Sequence, residues 1–401
     1  MPETITATPQ MLRRVNAATV LETIRSSNAV TVTELMDATG LTRATTIAVC
    51  EDLMARGWIR ELENQRDFGT YQKGRPARRF ELDESVGCVL GIDVGVLKTT
   101  VVVADLRGKT TGRASKPFRA RAIQAPERIR VISETALLAL EAAGVAPDKV
   151  LAVSVGLAAP VDRAGNILDS QPFWRLFDVG LKTALHDLHG WAVLLENDAN
   201  LAALGECWKG AGNGVQDLAV LLAGERFGAG LVEAGRLLHG SRGAAGEMAY
   251  LDMVEGVGSP EGLAALARLW AEEALAEGAK TALRTAVPVR SEVTAQHVFK
   301  AAADGDAVAL DILDRLSDRL ARVVSTLAIM LNPELVVIGG AVAESASVLL
   351  EPAARKLAAY TATPPRLAAS PLGDAIVGIG AVRHALDYVE KHSLDLQLRR
   401  G

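Results

Sequence analysis

Hydrophobic positions in the first sixty residues recur at helical spacing. Leu12, Val15, Thr19, Val20 and Ile24 mark one face of an amphipathic helix over about 11–26. Thr31-Val-Thr-Glu34 has the form of a capping box, in which the threonine oxygen and the glutamate each satisfy a free amide, and it opens a second helix ending near Thr39. Gly40 breaks that helix, Thr42 is a good N-cap, and a third helix over 43–56 carries Ile47, Val49, Leu53 and Met54 as its apolar positions. Two helices joined by a tight glycine turn form a helix-turn-helix. After Gly57 the pattern becomes that of strands. Trp58-Ile-Arg-Glu-Leu and Arg78-Arg-Phe-Glu-Leu pair as a β-hairpin, which makes the helix-turn-helix a winged one.

From residue 89 the chain reads as buried strands. VLGIDVG ends in glycine, KTTVVVADLRG follows as a second strand and turn, and a helix is predicted near 126–143. About 130 residues later LAVLLAGERFGAGLVEAGRL repeats the strand, glycine turn, strand and turn. This weak repeat predicts two similar α/β lobes facing each other across a cleft, where a ligand would sit. Between the repeats, 149–156 and 192–196 read as core strands, Glu-Asn-Asp-Ala-Asn leads into the helix LAALGECWKG, and a long helix over about 307–331 precedes a strand at 334–340.

Composition narrows the function. At 401 residues, 49% hydrophobic and 23% charged, the chain has room for two or three domains and is neither disordered nor fibrous. No apolar run reaches the roughly 18 residues of a membrane span, and the first thirty residues lack a signal-peptide core, so no membrane partner and a cytoplasmic location are expected. Cys50, Cys88 and Cys207 lie far apart with no C-x-x-C, which removes a disulfide framework and a cysteine-rich zinc site. The net charge of −5 is unevenly spread: residues 1–80 hold eleven Lys and Arg against nine Asp and Glu, and 66–79 hold five basic residues and one acid. A basic wing beside a helix-turn-helix points to double-stranded operator DNA. Thr42, Arg43, Thr45 and Thr46 are expected to face the major groove, and Lys73, Arg75, Arg78 and Arg79 to reach phosphates or the adjacent minor groove. The plainer alternative is a helical bundle with a solvated basic loop. The expected division is a DNA-binding domain over 1–84 and a sensing and self-association domain over 85–401.

The winged helix followed by LGIDVG, ENDANLAALGE, GAAGE and LNPELVVIGG resembles the ROK family of repressors, open reading frames and sugar kinases, in its regulator branch. The resemblance covers nearly the whole chain. It implies a two-lobed, actin-like, ribonuclease-H-like ATPase fold of the α/β class behind the winged helix, a sugar in the cleft, and a homodimer or homotetramer. In the family's kinases a first turn of the form D-x-G-G-T-K and a second of the form G-T-G-x-G-x-G cradle ATP phosphates. Here Val96 and Leu97 stand in the first, and Glu225 and Arg226 in the second, where charge and bulk oppose phosphate approach. The resemblance therefore implies a regulator that is not an enzyme, with kinase activity lost and no cofactor.

Asp198 matches the family's general base on the sugar hydroxyl, or else caps the helix that follows it. Asn197 precedes it. Glu247 in Gly243-Ala-Ala-Gly-Glu247 matches a sugar-binding glutamate, or is a surface carboxylate after a turn. Tyr250 stands where the family has a zinc-binding histidine, the cysteines of the next element are missing, and Glu261 falls on a further sugar-binding glutamate, so no metal is expected. Gln171 is the replacement for a missing asparagine, while Phe173 and Trp174 either stack on a sugar or belong to the core. His186 and His189 at i, i+3 read as a helix C-terminus rather than a metal pair. The resulting reading is a DNA-binding regulator, a repressor, controlled by a sugar or sugar derivative held by Gln171, Asn197, Asp198, Glu247, Tyr250 and Glu261. Its rivals are a sugar kinase with an added DNA-binding domain and a ligand-independent regulator using the fold as a scaffold.

Overall fold

In the computed structural model, which describes residues 8–62, 78–168, 170–286, 293–340, 343–396 and 398, three threonines open the three helices of the amino-terminal module. Thr8 accepts the Met11 amide at the start of α1 (Pro9–Arg25). Thr31 and Glu34 form the expected capping box at α2 (Val32–Thr39), and Thr42 accepts the Thr45 amide at α3 (Arg43–Arg56). Gly40 and Gly57 end α2 and α3 at φ of 69° and 90°, a region costly for any residue with a Cβ. Three short strands, β1 (Val30–Thr31), β2 (Ile59–Glu61) and β3 (Arg79–Leu82), form a sheet of order β1-β3-β2 with β3 antiparallel to both neighbours. Val20, Ile24, Leu35, Leu53, Trp58 and Phe80 fill the module's core.

Two helix faces differ from the pattern expected of them. Leu12 and Val15 are 51% and 54% exposed, because the inner face of α1 runs through Ala17, Val20, Leu21 and Ile24. In α3 the inner face is Thr46, Val49, Cys50 and Leu53, leaving Ile47 and Met54 half-buried.

The first lobe contains β4 (Cys88–Val94), β5 (Lys98–Ala104), β6 (Thr110–Pro117), α4 (Ala125–Ala143), β7 (Val150–Leu157), α5 (Pro172–Arg175), α6 (Leu181–His189) and β8 (Val193–Asn197). After α7 (Asp198–Lys209), the second contains β9 (Leu218–Ala223), β10 (Phe227–Glu233), β11 (Arg236–Leu237), α8 (Leu263–Ala276), α9 (Leu283–Ala286), α10 (Ala295–Ala303), α11 (Ala307–Leu331), β12 (Leu335–Gly339), α12 (Ala343–Leu357) and β13 (Arg366–Ala369). The last helix is α13 (Ile376–Lys391). The sheet orders are β6-β5-β4-β7-β8 and β11-β10-β9-β12-β13. In each, the central strand is antiparallel to its hairpin partner (β5, β10) and parallel to the next strand (β7, β12). The internal repeat is thus a repeat of topology.

Two helices tie the lobes together by changing sides. α7 leaves β8 of the first lobe and packs on β9 and β10 of the second, whereas α13 follows the second lobe and packs on β4 and β7 of the first. They cross at glycines: a Cβ on Gly380 would lie 1.7 Å from the Leu201 carbonyl oxygen, and one on Gly205 would lie 2.8 Å from that of Ile376.

The far end of α13 holds the amino-terminal module. Arg25 of α1 and Glu390 of α13 form an ion pair, with side chains 8% and 9% exposed. Trp58 donates its indole N–H to the Ser393 carbonyl at 2.7 Å, and Arg56 donates to that of Leu394 at 2.6 Å. Val20, Trp58, Val89, Val382 and Leu386 belong to one continuous apolar cluster.

Helix propensity alone predicts that Gly380→Ala stabilises α13, by up to about 1 kcal/mol. The carbonyl in its path reverses the sign, since forcing atoms into a packed interior costs about 1–3 kcal/mol. The expected outcome is a lower urea midpoint for the alanine variant; a raised midpoint would show that the crossing is not close-packed.

Candidate functional site

The start of α3 presents a small polar surface. Thr42, Arg43 and Ala44 are exposed, and Thr45 is half-buried with its hydroxyl 2.9 Å from that of Thr42. Thr46 does not join them: it is fully buried and donates to the Thr42 carbonyl at 3.0 Å, so it is a core residue of the module and not a groove contact. One and two turns on, Ala48 and Glu51 continue the exposed face, which the i, i+4 spacing from Ala44 would have disclosed. On the wing, Arg79 is exposed. Arg78 is engaged within the module, donating to both carboxylate oxygens of Glu61 at 2.8–3.0 Å and to Glu51 at 3.4 Å. Lys73 and Arg75 lie outside the described residues.

The two lobes meet over a cavity of about 50 Å³ lined by Ala158, Phe173, Trp174, Asn197, Asp198, Leu222, Arg226, Phe227, Gly228 and Glu247. Asn197, not Asp198, caps α7: its side-chain oxygen accepts the Ala199 and Asn200 amides at 2.9 and 3.1 Å, and its amide donates to the Ala159 carbonyl at 3.2 Å. Asn197 is therefore consumed by structure. Asp198 is relieved of the capping role and accepts the next amide, from Ala199 at 2.8 Å, together with its own. Burial, reinforced by the charges of Asp93 and Glu247, pushes the Asp198 carboxyl up to about 8. Asp93, at the end of β4, is likewise raised by burial, to about 6. Burial raises Glu247 as well, against the amides of Ala249 and Met248 and the charge of Arg226. Near neutral pH the floor of the cleft thus holds a protonated Asp198 able to donate a hydrogen bond as well as accept one.

Other expected ligand residues are placed differently. Both Phe173 and Trp174 edge the cavity; Trp174 takes the core role, 5% exposed in the first lobe, while Phe173 packs partly buried against that core with the Arg226 guanidinium 4.7 Å from its ring centroid. Gln171 precedes α5 and does not line the cavity. Tyr250 is 61% exposed on a surface turn, away from the cavity lining, and is corrected as a ligand contact. Glu261 pairs through its backbone with Arg226. Burial would raise its carboxyl, but hydrogen bonds from Ser259 and its own amide, with the charges of Arg226 and Arg319, hold it below the usual range. The donor set of this element, without imidazole or thiolate, does not suit zinc. His186 and His189 serve structure, binding the Trp191 carbonyl and the Ser133 hydroxyl.

Both turns that correspond to phosphate loops are occupied by the protein's own charges. Lys98, after the first turn, lies 3.8 Å from Asp374. Glu225 in the second turn reaches across the cleft to Arg121 of the first lobe at 2.7 Å. A further bridge between the lobes joins Glu196 to His239 at 3.0 Å. Two larger cavities, of about 330 and 370 Å³, lie beside the carboxy-terminal segment and on the outer face of α10–α12, and neither contains an expected ligand residue. No helix among the described residues is long and apolar enough to cross a membrane.

Residues 89–386 match the family model described as ROK family, and residues 15–63 match that of the IclR helix-turn-helix domain. The chain is 36% identical over 199 residues to a glucokinase of Halalkalibacterium halodurans, a match covering 47% of this chain and 59% of that protein, little more than half its length. It is 23% identical over 350 residues to the xylose repressor of Caldicellulosiruptor bescii, covering 85% of this chain and 86% of the repressor. Among solved structures, a ROK family transcriptional regulator described as a homolog of the Escherichia coli MLC protein superposes with a TM-score of 0.77 over 96% of this chain and 98% of its own, at 20% identity, which is a likeness of fold.

A carboxyl raised from 3.8 in a free chain to about 8 in the fold makes the folded state bind the extra proton, so its contribution falls as pH rises through that window. Asp198→Asn, which mimics the protonated form, is therefore expected to gain stability over the parent protein as pH goes from 5 to 8. Urea unfolding at the two pH values checks this, and an unchanging difference would place the ordinary carboxylate pKa at Asp198.

Proposed function

The chain belongs to the ROK family, and from that premise, with a helix-turn-helix module ahead of it, we propose that it is a DNA-binding transcriptional regulator, a repressor, whose affinity for its operator is set by a sugar or sugar derivative in the inter-lobe cleft. The observation that carries the reading is the continuous path from cleft to module. Asp198 begins α7, α7 crosses α13 at Gly205 and Gly380, and the end of α13 holds Arg25 and Trp58 of the module. The cavity, of about 50 Å³, is lined by residues of both lobes, so a ligand seated in it bears on both lobes and on their separation. Parting them moves α7 against α13, and a ligand that prefers the parted state shifts the module's position by its differential affinity alone.

Kinase activity is absent in this reading. Glu225 places a carboxylate where the second phosphate turn would receive an anion, and Arg121 already neutralises it. On the DNA side, Thr42, Arg43 and Thr45 meet the major groove and Arg79, with Lys73 and Arg75, meets the backbone. One such module covers about one half-site, so the bound species is a homodimer, or a tetramer built from dimers, on a roughly two-fold site.

Fluorescence anisotropy on DNA from upstream of the protein's own gene tests this at two salt concentrations, with and without neutral and phosphorylated sugars. Tight binding that weakens with salt and responds to a sugar is expected; ATP-dependent phosphorylation of a hexose by the purified protein would overturn it. Arg43→Ala is expected to weaken specific binding about tenfold to a hundredfold, the range for losing a base contact, with a smaller loss on random DNA. Glu390→Gln removes one member of the buried pair that ties the module to α13. It is expected to keep DNA binding while bringing the sugar-induced change in affinity towards unity.

A further inference from the structure

Arg226 brings a cation to the cleft that the protein leaves without an ion pair among the described residues. Among the described residues it has no carboxylate within 4 Å and no side-chain hydrogen bond, although it lines the same cavity as Asp198 and Glu247. Its guanidinium lies over the Phe173 ring at 4.7 Å. A guanidinium held over a ring, lining the cavity and with no ion pair among the described residues, keeps N–H donors for a ligand, and such a group can grip an oxyanion through two parallel hydrogen bonds. Three other cations near the cleft are engaged. Arg121 is paired with Glu225, Lys98 with Asp374, and Arg319 donates to the carbonyls of Ser259 and Glu261.

We propose that the cleft takes a sugar bearing an oxyanion, a phosphate or a carboxylate, and that Arg226 is the residue that binds that group. The inference rests on the cleft being a sugar site. The ring hydroxyls would meet Asp198 and Glu247 and the anionic substituent Arg226, all of which line the one cavity. Burial pushes Asp198 up to about 8 and raises Glu247, which favours their neutral forms and lessens how far they offset Arg226. Glu261 remains ionised, but it is shared with Arg319. The second phosphate turn, altered by Glu225 and Arg226, is thereby converted from holding a nucleotide to selecting the effector.

Isothermal titration of the full chain with glucose, galactose and mannose, each as the neutral sugar, the 6-phosphate and the uronate, tests the inference in the parent protein and in the Arg226→Ala and Arg226→Lys variants. Circular dichroism melting confirms that the variants are folded. The expected result is at least tenfold tighter binding of an anionic form than of its neutral parent, a ratio abolished by alanine and partly kept by lysine. Preference for the 6-phosphate or the uronate identifies which oxyanion is read. Equal binding of neutral and anionic forms, or a ratio unchanged by alanine, overturns the role of Arg226 while leaving the sugar site intact. Failure of every sugar to bind removes the sugar site itself, and this inference with it.

Discussion

The crossing of α7 and α13 is the constraint on which the arrangement depends. Each helix belongs by chain order to one lobe and by packing to the other, so the lobes cannot shift without moving one helix over its partner. Glycine at 205 and 380 lets the backbones approach more closely than any side chain permits. A contact of that kind is stiff against compression and tolerant of sliding. The inter-lobe cavity lies at the amino end of α7 and the helix-turn-helix module at the carboxy end of α13, so the crossing stands between them.

Closure of the cleft draws on weak contacts by comparison. Arg121 and Glu225 are about half exposed, so their pair contributes at most about 1 kcal/mol. The Arg226–Phe173 stacking and the Glu196–His239 bridge add to it. Burial would raise Glu196, yet its bonds from His239, Asn200 and the Asn197 amide hold it low, and the same bond raises His239. Contacts of this size keep the lobes together without locking them, which suits a cleft that has to admit a ligand.

Much of the fold was legible because local chemistry agreed with it. Thr42 and Gly57 fix both ends of α3, and the glycine turns of the repeat mark the hairpins of both sheets. Thr46 was misassigned because a threonine near a helix start is equally suited to a groove and to a small core site, and only its neighbours in space decide. Leu12 and Val15 carried the right period but the wrong phase, which is set by α1's partners. The division of labour between Asn197 and Asp198 turned on one residue of helix register, within the usual uncertainty of a helix end. Arg226 was visible as a departure from the phosphate-turn pattern; its place over Phe173, more than fifty residues earlier, was not. The docking of the module was hidden for the same reason, since Arg25 and Glu390 lie 365 residues apart.

That separation has a consequence during synthesis. The module is made well before the helix that receives it, which begins about 320 residues after α3 is complete. At bacterial and eukaryotic rates of 5–20 residues per second the delay is roughly a quarter of a minute to a minute. Through that interval Arg25 has no carboxylate partner from α13 and Trp58 no carbonyl from Ser393, so the nascent module can rely only on the contacts among its own three helices and wing. Docking of the module therefore becomes available only once α13 has been made, and until then the module is not tied to the two lobes through that helix.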